Sequence, residues 1–341
     1  MLFRSHIANA RQSLGVDVAA WVAVLVLAGL IGNALSRRLW PGVGLPGRAL
    51  LLVLVAWLCA VGLKLGWWRL DVAAPVLLVG LIGSAMVLLW RGQLVGAASE
   101  PRVGDAVFWG VFLFFLCLRI WNPAIAWGER PMDQSILSAY LRDATWPPTD
   151  PWFLGAPLQY HAWGQYVMAL LGRIAGTPAN LLYNLACALV PALAAELYVW
   201  TMLRMLPDSR RRLGVALLGV GLVLFTGNLS FWTNQPWLDG PSFNDFWAAS
   251  RIMPVGINEF PFWTAVFADL HGHFIAMIFS ALMVAGLVLR FSGQEGVKTW
   301  LLIGFALGCL ALTNAWALPV YAFLLLATWL AAPRRPAGPL L

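Results

Sequence analysis

Apolar residues run along this chain in long charge-free stretches, separated by short polar breaks. A helix needs roughly 20 such residues to cross ~30 Å of hydrocarbon. Stretches of that kind lie at about 18–36, 49–66, 72–90, 105–121, 179–203, 213–230, 264–289 and 299–332. The last is too long for one pass, and its polar break Thr313-Asn314-Ala315 predicts two shorter spans with a turn. Residues 158–176 carry Tyr160, His161, Gln165 and Arg173 and are interrupted by Gly172 and Gly176. That segment reads as interfacial or re-entrant, not spanning. The pattern predicts an all-α, polytopic transmembrane bundle of about 9–10 spans.

Composition narrows the class. Of 341 residues, 61% are hydrophobic and 11% charged, where a soluble domain carries about 25% charged. Disordered chains are poor in apolar residues, and a soluble enzyme of this size could not hide so much apolar surface. The four cysteines, Cys59, Cys117, Cys187 and Cys309, all lie in apolar runs without a CxxC pair. They are expected to be buried small hydrophobes. The N-terminus lacks the order of a cleaved signal peptide, so its first span is expected to be retained.

The net charge is +7. No stretch interleaves basic and aromatic residues on a soluble face, so the excess reads as membrane topology and not as nucleic-acid binding. Clusters at Arg37, Arg38 and Arg48, at Arg91 and Arg102, at Arg204 and Arg210 to Arg212, at Arg290 and Lys298, and at Arg334 and Arg335 are assigned to the cytoplasm. They hold 13 of the 22 basic residues. The expected location is the cell membrane, as a multi-pass protein with its N-terminus outside.

Two long segments, 122–178 and 231–263, then face out. With Asp269, they hold eight of the 15 acidic residues, and nine of the 20 tryptophans lie in or beside them. Loops that long are usually functional or disordered, and these are too aromatic for disorder. The expected organisation is N-terminal spans in 1–104, a core in 105–332 carrying both outer loops, and a tail at 333–341.

Within these loops, Asp133 follows Arg130-Pro131 at a plausible helix start, where a first-turn carboxylate also suits the helix dipole. Asp150 before Pro151 also reads as a turn former. Phe267-Ala268-Asp269-Leu270-His271-Gly272-His273 is expected on one helix. There Asp269 and His273 share a face, being four apart, and His271 points about 200° away unless Gly272 loosens the turn. Three ionisable residues near a membrane boundary are functional by default, and acid with imidazole can bind a divalent cation. Glu196 lies alone in its span, eight residues before Arg204. It is expected to snorkel or pair inward in a structural role.

Glu129-Arg130-Pro131-Met132-Asp133, Pro147-Pro148-Thr149-Asp150-Pro151-Trp152, Gly155 and Tyr160 to Gly164 together resemble the YYY-type family of prokaryotic membrane proteins. The resemblance continues through Asp245-Phe246-Trp247, Ser250-Arg251, Ile257 to Pro261, Phe267 to His273 and Asn314 to Pro319. It covers about 105–325. The name-giving Tyr triplet is Tyr160-His161-Ala162 here, and Ala317 stands where an acidic residue is usual. Members tend to be longer, which implies a shortened or truncated chain. The layout is similar to that of GT-C superfamily glycosyltransferases.

That resemblance implies a GT-C-like fold and transfer of a sugar from a polyprenyl-phosphate donor in the bilayer to an acceptor at the outer membrane face. It implies Asp133 as catalytic acid with Glu129 in reserve. Asp150, Tyr160, His161, Trp247, Arg251, Asn258 and Glu259 are then substrate-binding residues. Asp269, His271 and His273 are candidate ligands for Mg or Mn. A transporter or flippase of such a substrate and a metal-dependent membrane hydrolase are the alternatives. The glycosyltransferase reading expects Asp133, Asp150, Arg251, Glu259 and His273 around one cavity.

Overall fold

The computed structural model describes residues 2–93, 99–234, 243–253 and 255–331. The expected tail 333–341 and the part of the second outer segment that holds Asp239 lie outside the described residues. The helices are α1 Leu2–Leu39, α2 Arg48–Lys64, α3 Leu70–Trp90, α4 Ser99–Trp121, α5 Arg130–Arg142, α6 Trp163–Ala175 and α7 Ala179–Met205. They continue as α8 Arg212–Phe225, α9 Leu229–Asn234, α10 Phe243–Ala249, α11 Pro261–Phe267, α12 Gly272–Phe291, α13 Val297–Thr313 and α14 Leu318–Ala331. The protein is an all-helical, polytopic membrane protein.

Among the described residues, five helices are long and apolar enough to cross a bilayer: Leu14–Leu39, Leu70–Trp90, Arg102–Trp121, Ala179–Met205 and Gly272–Phe291. The remaining expected spans are α2, α8, α13 and α14, of 14 to 17 residues. At 1.5 Å per residue they cover about 21–26 Å, short of a full bilayer core. Their apolar runs are broken by real turns, as at Asn314, where the backbone leaves the helix (φ −151°, ψ 86°).

Helix α7 forms the centre. Ala186, Ala188, Ala192, Ala194 and Ala195 are fully buried along it. Such small side chains let α4 and α12 approach closely, which matters where lipid supplies no hydrophobic drive between helices. The outward faces of α3 and α4 remain apolar and exposed, as at Val79, Met86 and Leu113. Cys117 also sits on such an outward face, contrary to the expectation of burial, whereas Cys59, Cys187 and Cys309 are buried.

In 158–176 the structure places helix α6. Its 13 residues cover about 20 Å, too few to span a bilayer core, and almost all are buried. It packs among α1, α2, α3, α5, α7, α12 and α13, a short helix sheltered by protein.

Glu196 pairs with Arg48 (2.8 Å), which also reaches Asp105 (2.6 Å), and not with Arg204. Arg204 turns away to the carbonyls of Gly42 and Val43. Arg48 itself lies over the Phe108 ring, 3.8 Å from its centroid. The ion pair is almost fully buried, so removal of one partner would strand a charge.

Hydrogen bonds bring alternate helix ends together. At one end Arg37 and Arg38 of α1 reach Gln93 beyond α3, Trp40 reaches Thr299 of α13, and Arg290 of α12 reaches Thr328 of α14. At the other end, Arg119 of α4 meets Asn184 of α7, and Leu70 of α3 meets Ala144 beyond α5. Arg37, Arg38, Arg48, Arg204, Arg212 and Arg290 belong to the first end. The segments 122–129, 243–271 and the N-terminus of α12 belong to the second.

Candidate functional site

The second end encloses a cavity of about 340 Å³. Its walls combine Phe243, Trp247, Trp263 and Phe267 with Glu129, Arg251, Glu259, Asp269, His271 and His273. The chain enters it through two turns that carry backbone strain. Trp127 and Ala268 are the non-glycine residues with positive φ among those described, at 73° and 61°. Each such conformation costs of order 1–3 kcal/mol and persists only where surrounding contacts hold it.

The hold on Ala268 is visible. The Tyr183 hydroxyl of α7 donates to the Ala268 carbonyl (3.0 Å) and accepts from the Leu270 amide (3.3 Å). The Asp269 amide donates to the Thr264 carbonyl at 3.0 Å. Helix α11 therefore stops at Phe267, and α12 starts afresh at Gly272 with His271 as its N-cap. This corrects the expectation of one continuous helix through Asp269 and His273. The break removes the 200° separation and turns Asp269, His271 and His273 toward the same cavity. Gly272 is required for a different reason than loosening a turn: a Cβ there would lie 2.5 Å from the Thr313 carbonyl oxygen.

His271 has both ring nitrogens engaged. Nδ1 lies 3.2 Å from Glu129 Oε2 and 3.5 Å from Asp133 Oδ1, and Nε2 lies 3.2 Å from the Tyr160 hydroxyl. Burial disfavours the imidazolium, but the hydrogen bond to Asp133 and the charges of Asp133, Asp269 and Glu129 outweigh it and raise the pKa. Asp133 is itself raised by burial, with His271 and Gln165 opposing. Asp269 is raised by burial and then by the charge of Asp133.

Asp133 sits in the first turn of α5 and is 0% exposed. Gln165 Nε2 of α6 donates to its Oδ1 (3.1 Å) and to the Leu270 carbonyl (3.4 Å). A catalytic group must reach its substrate, and this carboxylate is covered by His271 and Gln165. The Glu129 side chain, by contrast, is 61% exposed and lines the cavity.

The second segment places Arg251 4.1 Å over the Trp247 ring and 3.5 Å from Glu259. His273 Nε2 lies 3.5 Å from the other Glu259 oxygen. Burial raises Glu259, with Arg251 opposing. Asn258 sits between lining residues. Its backbone amide donates to the Ser250 carbonyl (2.8 Å) and fixes the return of this loop. Tyr160 contacts the site through His271, and His161 stacks on Tyr160 at 4.2 Å. Asp150 does not join them. Its Oδ1 accepts the amides of Trp152 (2.8 Å) and Phe153 (3.0 Å), an Asx turn that explains the residue by local backbone geometry alone.

Sequence reading missed Tyr183, Gln165, Trp263, Phe243 and Phe267. Tyr183 and Gln165 did carry a signal: each is a polar side chain inside an otherwise apolar helix, where it requires a partner. The aromatic residues carried none, because every segment here is aromatic.

Over residues 51–340 the chain matches the family described as "Uncharacterized membrane protein (DUF2298)", and it belongs to that family. No curated protein and no solved structure matches it.

Proposed function

We propose that this member of the family transfers a sugar from a polyprenyl-phosphate-type lipid donor to an acceptor at the outer membrane face. The observation that carries the reading is the joining of carboxylates, histidines and one arginine with four aromatic rings in one cavity, at the end away from the basic helix termini. Aromatic faces suit sugar rings, and membrane-level helices suit a polyprenyl tail. The flanking positive charges of Arg251 and protonated His271 suit a lipid phosphate that departs as an anion.

In this reading Glu129 takes the proton of the acceptor hydroxyl. Solvent reaches Glu129, so an acceptor can also reach it, and His271 Nδ1 lies 3.2 Å from its Oε2. Asp133 holds the Nδ1 proton of His271 and so keeps the imidazolium beside the leaving phosphate. Gln165 and Tyr183 fix the backbone around Leu270 from which His271 projects. The cavity opens outward if the basic helix ends stay in the cytoplasm.

The test is turnover of polyprenyl-phosphate-linked sugars by the purified protein in lipid. Glu129→Gln is expected to lower the rate by about a hundredfold or more, the usual scale for losing a general base. Asp133→Asn is expected to lower it less and to move the alkaline limb of the pH profile downward, through a less basic His271. An unchanged rate in Glu129→Gln removes the assigned base. Failure of the wild type with every lipid-linked sugar removes the reading.

A further inference from the structure

We propose that Glu259, Asp269 and His273 form a divalent-cation site, distinct from the set Asp269, His271 and His273 that the sequence suggests. One donor atom from each of the three lies within 4.8 Å of the others. They come from three places that only the fold brings together: the loop before α11, the break after it, and the first turn of α12. Donors about 2.1 Å from a metal sit roughly 3.0–4.2 Å apart. The Glu259–His273 pair, at 3.5 Å, already has that spacing. Asp269 completes the set with a closing shift of less than about an ångström.

A second observation points to a ligand. Asp269 is only 6% exposed, yet it lines the cavity, and its Oδ1 has no hydrogen-bond partner among the described residues. A buried carboxylate oxygen without a donor is costly. His273 Nε2, in the same group of donors, is likewise buried without a hydrogen bond. His271 stands outside this set: its Nδ1 faces Glu129 and Asp133, and its Nε2 faces the Tyr160 hydroxyl.

Two carboxylates and one imidazole favour a cation that accepts oxygen and nitrogen alike. Mn²⁺ does, while Mg²⁺ prefers oxygen and retains its waters. With three protein donors, further positions stay open toward the cavity, where a phosphate oxygen of a substrate could bind. That last step rests on the transfer reading, whereas the cation site does not.

The experiment titrates Mn²⁺ into the EDTA-treated, detergent-solubilised full chain and reads free Mn²⁺ by electron paramagnetic resonance. The wild type is expected to take up one equivalent saturably. Asp269→Asn and Glu259→Gln are expected to weaken binding by more than about tenfold, and His271→Gln to leave it within about twofold. Glu259 is partly exposed, so Glu259→Gln decides if Asp269→Asn elutes aggregated on size exclusion. Absence of saturable uptake by the wild type overturns the site. So does unchanged affinity in the well-folded variants, or a loss confined to His271→Gln. A chain that binds Mn²⁺ but turns over no lipid-linked sugar keeps this site and loses the transferase reading.

Discussion

The imidazole of His271 holds its proton against burial because Asp133, Asp269 and Glu129 surround it. The pKa is raised above the ordinary 6.5, so the stability it adds is complete below that value and is lost as pH rises through the raised one. Asp269 is raised from 3.8. The fold holds a proton there that the unfolded chain releases, so its contribution also falls with rising pH. The Asp269 loss is complete near pH 7 and the His271 loss near pH 9, so the thermal midpoint in detergent is expected to fall between about pH 6 and about pH 9, and His271→Gln to flatten part of that slope. A wild-type midpoint that rises over this range contradicts the arrangement. At this scale the sequence marked the acids and histidines as costly near a membrane, and so as worth attention. It could not rank Glu129 against Asp133, because that ranking is a matter of exposure: one carboxylate reaches the cavity and the other is sealed behind His271 and Gln165.

Between elements, close approach governs more than hydrophobicity does. A Cβ on Gly47 would lie 1.9 Å from the Gly32 carbonyl oxygen, and one on Gly32 would lie 2.2 Å from that of Gly47. The Gly47 amide donates to Asn33 Oδ1 at 2.8 Å across the same contact. Gly47→Ala must therefore push α1 and α2 apart at the backbone, and is expected to cost more than about 2 kcal/mol. Gly80→Ala on α3 meets open space and is expected to stay within about 1 kcal/mol of wild type or to gain stability. Denaturant or thermal unfolding of both variants checks this, and equal destabilisation would falsify the close-approach argument. Each apolar run holds a helix, and among the described residues five of those helices are long enough to cross a bilayer. The break at Ala268 to His271 escaped because nothing in Ala268-Asp269-Leu270 is a helix breaker. Tyr183, 85 residues before Ala268, holds that turn open.

Across the whole molecule, the basic helix ends and the cavity lie at opposite poles. Under the positive-inside rule the cavity is expected to face outside. In a chain with Cys117 replaced by Ala, Leu154→Cys, at a position 90% exposed within the segment 122–178, should react with an impermeant maleimide in intact cells. Arg210→Cys should react only after permeabilisation. The reverse pattern inverts the orientation and moves the site to the cytoplasm. Sequence alone determined the membrane class, the helical architecture, the basic pole and the segments that carry the polar chemistry. These follow from composition and local periodicity, which each stretch of chain expresses by itself. Only the tertiary structure decided that Glu196 answers Arg48, that α6 is buried, that Asp150 accepts the amides of its own turn, and that Glu259 stands with Asp269 and His273. Those outcomes depend on which distant side chains meet and which are sealed from solvent, and no local pattern records that.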